Sequence, residues 1–219
     1  MPVEPLVTRA YGAAGTSVLS TVADLLRFAA LHLEDPSLAG LRAVQGDLAI
    51  HGWFDAWCLG WAWFNWKEGQ VWGWDGLING ERSVLRILPQ HQAAVVLLTN
   101  SSSGRAMYRS LFTELMPSTF GITVPALRLE PTADAPRDLS PYAGVYGWAD
   151  RKVHITAAEG SLRIQSESGE ADARPIDRRT FLVDPADPDN PTLTFGGFDA
   201  TGRATVVYEM LWGLPRLSE

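Results

Sequence analysis

An α+β chain is predicted, in which an antiparallel sheet with flanking helices is followed by a small antiparallel β-barrel. Three observations predict it. Val71–Pro89 reads as two strands around a glycine-punctuated bend, and the apolar run Gln92–Thr99 follows as a third. Apolar residues recur at helical spacing before this block, from Val22 to Leu33, and after it, within Ser101–Pro117. From Tyr142 onward, short alternating runs are separated by turn residues. Period two marks strands and period 3.6 marks helices, so the pattern itself orders the elements.

Met1–Ser17 is irregular, with Pro2, Pro5, Gly12 and Gly15. Thr21 is a candidate N-cap with Asp24 three residues on, and Val22, Leu25, Leu26, Ala29 and Leu33 then share one helical face. Glu34-Asp35-Pro36 ends that helix, and a shorter one is expected over Leu38–Ile50. Trp53–Trp74 holds seven of the nine tryptophans. Trp61 and Trp63 fall on one strand face, as do Trp72 and Trp74, which predicts an aromatic wall across paired strands. Two readings of it stand side by side: a packed core or seam, because aromatics dominate burial, and a stacking platform for a ligand. Gly73–Gly76 is expected to end the first strand and Leu77–Gly80 to bend the chain. In the second strand Ser83, Leu85 and Ile87 alternate with Val84, Arg86 and Leu88. The helix of Ser101–Pro117 groups Met107, Leu111, Leu115 and Met116, and the Pro- and Ala-rich stretch Phe120–Pro141 reads as a linker. The expected organisation is therefore a first domain over 1–118, a linker over 119–141 and a β domain over 142–219.

Composition narrows the function. A formal net charge of −7 argues against binding a nucleic-acid backbone. No apolar run approaches the roughly 20 residues of a membrane span, and the first residues do not read as a signal peptide. Cys58 is a single cysteine, so no internal disulfide is expected. His32, His51, His91 and His154 are scattered, and neither a metal nor a cofactor is expected. The acids of Asp184–Asn190 read as a solvated turn before a calcium loop. Ser101–Gly104 reads as a helix cap before an anion cradle.

Two stretches carry a family resemblance. Ala13–Leu25 (AAGTSVLSTVADL) is similar to a "GG-x-x-S-T-x-x-D-L" helix entry. Gly73–Leu85, followed by ILP, an apolar strand and Thr99-Asn100, is similar to "G-H-x-G-x-x-x-G-x-x-S-x-L" and a closing "V-L-T-N", with Gly73, Gly76, Gly80 and Ser83 in register. Together they resemble the serine β-lactamase-like hydrolases, which include class C β-lactamases, D-alanyl-D-alanine peptidases and related esterases. Leu139–Tyr146 resembles the opening of the lipocalin-like barrel appended to many members.

The resemblance implies an acyl-enzyme hydrolase, and the departures from it are informative. Such chemistry needs an activated hydroxyl, a base within reach and donors aimed at the developing oxyanion. Members place the first two in S-x-x-K and Y-x-N. This sequence has two lysines, Lys67 and Lys152, with no serine three residues before either, and none of its five tyrosines opens a Y-x-N. No catalytic residue is assigned, and the chain alone is expected to be inactive. At the third motif Trp74-Asp75-Gly76 replaces a cation by tryptophan, and the family's backbone oxyanion donor maps onto the Leu77 N–H. Trp74, Asp75, Gly76 and Leu77 are therefore the expected substrate-binding residues. Asp75 is expected to repel a substrate carboxylate, which favours an ester or amide lacking one. By the resemblance Ala93–Thr99 lacks its N-terminal neighbour strand, so a complementing segment, a second copy or the linker around Ile122–Leu129 is expected to cover it. The alternatives are a non-catalytic binding module using the Trp wall and the barrel, and an assembly partner pairing through that edge.

Overall fold

The computed structural model of the protein describes residues 18–46, 49–78, 80–101, 104–167, 169–184, 191–209 and 212–218. The irregular Met1–Ser17, the motif residues Ala13–Ser17, Ser102 and Ser103, and the acidic stretch after Asp184 lie outside the described residues. The chain divides into two compact units: Met1–Asp47 with Phe54–Pro125, and Leu48–Trp53 with Ala126–Glu219.

In the first unit α1 spans Val22–Glu34. The Thr21 side chain accepts from the Asp24 N–H at 3.2 Å, satisfying one of the helix's orphan donors as expected of an N-cap. The buried stripe is turned from the one expected: Ala29 and His32 are buried, whereas Val22 and Leu26 are exposed. The cause is aromatic. His32 stands edge-on to Trp61 with ring centroids 5.1 Å apart, and it draws that side of the helix onto the sheet. Among the described residues of Leu38–Ile50 there is no α-helix. Pro36–Arg42 forms a 3₁₀ turn, and Val44–Gly46 is a short strand, β1. Pro36 at the turn's start and Gly40 within it favour a short turn over a longer helix.

β1 is followed by β2 (Ala56–Cys58), β3 (Ala62–Trp66), β4 (Gly69–Ile78), β5 (Glu81–Leu88) and β6 (Ala93–Thr99), which pair antiparallel in sequence order. β4 does not stop at Gly76. Its ladder with β5 continues through Gly76↔Ser83, Leu77↔Arg82 and Ile78↔Glu81, so cross-strand pairing outweighs the local glycine content. β6 is the sheet's last strand, paired with β5 and with no other described strand. α2 spans Gly104–Phe120 and carries Pro117 in its last turn. The helix runs past this proline and ends at Gly121, whose N–H donates to the Pro117 carbonyl at 3.1 Å in a left-handed turn. The two helices face opposite sides of the sheet. Ala29 of α1 clusters with Cys58, Trp61, Leu85 and Ile87. On the other side Tyr108 of α2 meets Arg86, while Phe112 and Met116 are fully buried.

The second unit is an eight-stranded antiparallel sheet: β7 (Gly144–Trp148), β8 (Arg151–Ala158), β9 (Ser161–Ser166), β10 (Gly169–Pro175), β11 (Thr180–Leu182), β12 (Thr192–Phe198), β13 (Ala204–Glu209) and β14 (Trp212–Pro215). β13 and β14 pair with each other as a hairpin, from Val206↔Pro215 to Glu209↔Trp212. An antiparallel bridge, Tyr146↔Arg216, returns the end of the sheet to β7, so the sheet is barrel-shaped and its edge is shielded. Tyr142, Tyr146, Leu162, Phe181, Phe195 and Val207 fill the interior, with Tyr142 ring-to-ring against both Phe181 and Phe195.

Candidate functional site

The hairpin β4–β5 positions the four residues singled out in the sequence. An added Cβ at Gly73 would collide with the Leu85 carbonyl, and one at Gly76 with the Ser83 hydroxyl. The Gly73 contact is with backbone, so this glycine lets the two strands close where a side chain would part them, whereas the Ser83 hydroxyl at Gly76 can rotate away. β4 is paired with β5 along Trp72–Ile78 but with β3 only as far as Ala62↔Gly73. Alternate N–H groups of an antiparallel strand point to opposite neighbours. From Trp74 onward no described strand takes those on the β3 side.

Consecutive residues of β4 face opposite ways, and Trp74 and Asp75 end in different surroundings. Trp74 belongs with Trp63, Trp72, Leu85 and Ile87 on the α1 side. Its ring stands edge-on to Trp57 at 5.1 Å, and both contact Phe54 at 6.3 and 5.8 Å. Trp72 donates its indole N–H to the Arg42 carbonyl at 3.0 Å. Trp61 and Trp66 are core residues, while Trp57, Trp63, Trp72 and Trp74 are half-buried. Leu77 is 48% exposed.

Asp75 is not the free negative charge expected from its position. Its carboxylate receives Arg86 Nη1 at 2.6 Å, and Arg86 is 1% exposed. The same guanidinium donates to the Leu85 carbonyl at 2.9 Å and the Tyr108 hydroxyl at 3.0 Å, and lies 4.0 Å above the Phe64 ring. Burial alone would make Arg86 easier to deprotonate. The Asp75 and Tyr108 partners outweigh burial and hold the charge more firmly than usual. Burial likewise pushes the Tyr108 phenol up, so it stays a neutral acceptor. Asp75 and Arg86 thus form a buried electrostatic clamp behind the strand whose other face carries Trp74.

Sequence reasoning missed this clamp and the Phe54–Trp57 pair. A signal existed for the clamp. Asp75 is the one acid on a hairpin face that also carries Arg82 and Arg86, and each arginine is its diagonal neighbour once Asp75↔Val84 sets the register.

Other candidates are placed plainly. Burial pushes the Cys58 thiol up, although a Trp72 hydrogen bond pulls it down, so Cys58 is a core residue. His91 is exposed and rests against Phe120, and His154 is exposed on β8. No cluster of three His, Cys, Asp or Glu capable of holding a metal occurs among the described residues. Nor is any helix there long and apolar enough to cross a membrane. His32 is held neutral: burial, then the Arg42 charge, keeps its pKa below the ordinary 6.5. Above about pH 6.5 neither folded nor unfolded chain carries this proton, so the stability tied to a neutral His32 is complete. As pH falls below that value the unfolded chain binds a proton that the native state refuses. Stability is then lost by up to about 1.4 kcal/mol per pH unit until the folded pKa is passed. Urea midpoints of the wild type should fall between pH 7.5 and 5.5 by more than those of His32→Phe, and parallel curves would contradict this.

The architecture is a six-stranded antiparallel sheet with a helix on each face and the glycine-bearing strand β4 in its interior. Residues 2–115, over half of the chain, match the family described as Beta-lactamase, and the chain belongs to that family of hydrolases. It is 32% identical over 159 residues to penicillin-binding protein 4 of Amycolatopsis lactamdurans, an alignment covering 66% of this chain and 42% of that relative. Among solved structures it is similar to SurE with D-Leu, at a TM-score of 0.72 and 22% identity, over 90% of this chain and 50% of that one. It is similar also to SurE alone, at 0.71 and 22%, over 90% and 48%. These two likenesses are of fold. The chain spans less than half the length of the curated relative it matches and about half that of the solved chains.

Proposed function

We propose that this chain supplies one wall of an acyl-transfer cleft, lined by Trp74, Asp75, Gly76 and Leu77, in a protein that hydrolyses an ester or amide. The observation that carries the reading is the strand β4 itself. From Trp74 to Ile78 it keeps β5 on one side, while no described strand pairs with the other, beside an exposed Leu77. Backbone N–H groups held on a rigid strand are the kind of donor an oxyanion needs, and the Leu77 N–H is assigned that role. Asp75 contributes through the backbone, because its carboxylate is held by Arg86 on the opposite face. The nucleophile and its base are assigned to residues outside this sequence, which contains no S-x-x-K and no Y-x-N. A filled barrel interior speaks against the alternative in which the barrel holds a ligand.

The purified chain is expected to hydrolyse a chromogenic ester no faster than buffer does. Turnover blocked by a serine-directed phosphonate would overturn the reading, and so would DNA ahead of Met1 that encodes no in-frame S-x-x-K. The apolar edge Ala93–Thr99 is where a complementing segment or a second copy pairs in this reading. Sedimentation of the chain alone should show concentration-dependent self-association, and a monomer at every concentration would remove the second copy.

A further inference from the structure

The geometry points to an aromatic subsite, formed by Phe54, Trp57 and Trp74, that receives the apolar side chain of an uncharged acyl donor; this rests on the cleft-wall reading given above. Three rings meet there within 5.1–6.3 Å of one another, and Trp57 and Trp74 are only partly buried although each is large enough to repay full burial. The subsite adjoins the part of β4 that β3 leaves unpaired, so a group resting on the rings lies beside the backbone donors.

The charges decide what it accepts. Positions sharing the Trp74 face on neighbouring strands are Trp63, Trp72, Gly76, Ser83, Leu85 and Ile87, none of them ionisable. Glu81 at the hairpin tip has the same parity and is negative. Arg86 is turned to the other face and committed to Asp75, and the Arg42 guanidinium donates to the His32 carbonyl at 2.6 Å. A carboxylate placed on these rings would lose hydration without gaining a cation. A phenyl or branched aliphatic side chain would bury apolar area against three rings and lose nothing. The class of ligand is therefore a neutral ester or amide whose acyl part carries a bulky apolar side chain.

The test is tryptophan fluorescence of the 219-residue chain, titrated with N-acetylphenylalanine methyl ester, its free acid and N-acetylglycine methyl ester. The phenylalanine ester should quench saturably and bind about tenfold or more tighter than the glycine ester, the increment expected for one buried aromatic side chain, and tighter than the free acid, whose carboxylate loses hydration there. Trp57→Leu and Trp74→Leu should each abolish most of that margin, and Trp74→Lys should reverse the order of ester and acid. Equal binding of the three ligands by the wild type, or tighter binding of the acid, would overturn the subsite whatever the variants do. That result leaves the cleft-wall reading standing, since the latter falls on ester turnover and not on ligand preference.

Discussion

Arg86→Ala is expected to destabilise the sheet unit by about 3–5 kcal/mol, the range for removing one partner of a buried ion pair. The loss is larger than one contact because the guanidinium serves several groups at once. It holds the Asp75 carboxylate at 2.6 Å, donates to the Tyr108 hydroxyl and the Leu85 carbonyl, and fills the space over Phe64. Without it a nearly buried carboxylate has no partner, and α2 loses a polar tie to the sheet. Removing both charges is a different experiment. The pair Asp75→Leu with Arg86→Met leaves no orphaned charge and should recover most of the loss. Urea unfolding followed by tryptophan fluorescence measures both. A single variant within about 1 kcal/mol of the wild type would show that the clamp has little weight.

Arg216→Ala is expected to open the barrel seam at a cost of about 3 kcal/mol or more, by withdrawing a charged donor from several acceptors. Arg216 donates to the carbonyls of Ala204 at 2.6 Å, Ala143 at 2.5 Å and Pro141 at 2.8 Å, and to the Tyr146 hydroxyl at 2.6 Å. Its guanidinium also lies 4.8 Å from the Tyr146 ring centroid. Burial pushes the Tyr146 pKa up to about 12, so the phenol stays neutral, accepting from Arg216 and donating to the Tyr142 carbonyl at 2.8 Å. The Leu217 N–H bonded to the Val145 carbonyl reports on the seam, and its amide exchange should accelerate in the variant far more than exchange at Leu162 in the barrel core. Unchanged protection at Leu217 would mean that the strand bridge alone closes the barrel.

Much of this fold was legible because period and punctuation agreed with it. The alternation of Val84, Arg86 and Leu88 marked β5, and Thr21 with Asp24 fixed the start of α1. The recurring short runs after Tyr142 announced the barrel. Errors arose where tertiary contacts overrode local rules. β4 runs through Gly76 because β5 supplies a continuous ladder, and α2 runs through Pro117 because a proline in the last turn disturbs little that follows. The stripe of α1 turns toward His32 because Trp61 meets it edge-on. The site was half legible. The family resemblance singled out Trp74–Leu77 as the proposed lining, but which way each side chain points depends on pairing across the hairpin, so Asp75 read as a cleft charge when it is the partner of Arg86. Arg216 could not be read at all, since its acceptors lie about seventy residues away in sequence and one 12 residues away.

In the proposed arrangement this polypeptide presents an oxyanion-side wall while the attacking hydroxyl belongs to other residues. Intact-mass measurement after exposure to a fluorophosphonate addresses it directly. An unchanged mass is expected for the chain at concentrations that label active serine hydrolases fully. A stoichiometric adduct on one of this chain's own serines, abolished by unfolding, would contradict it.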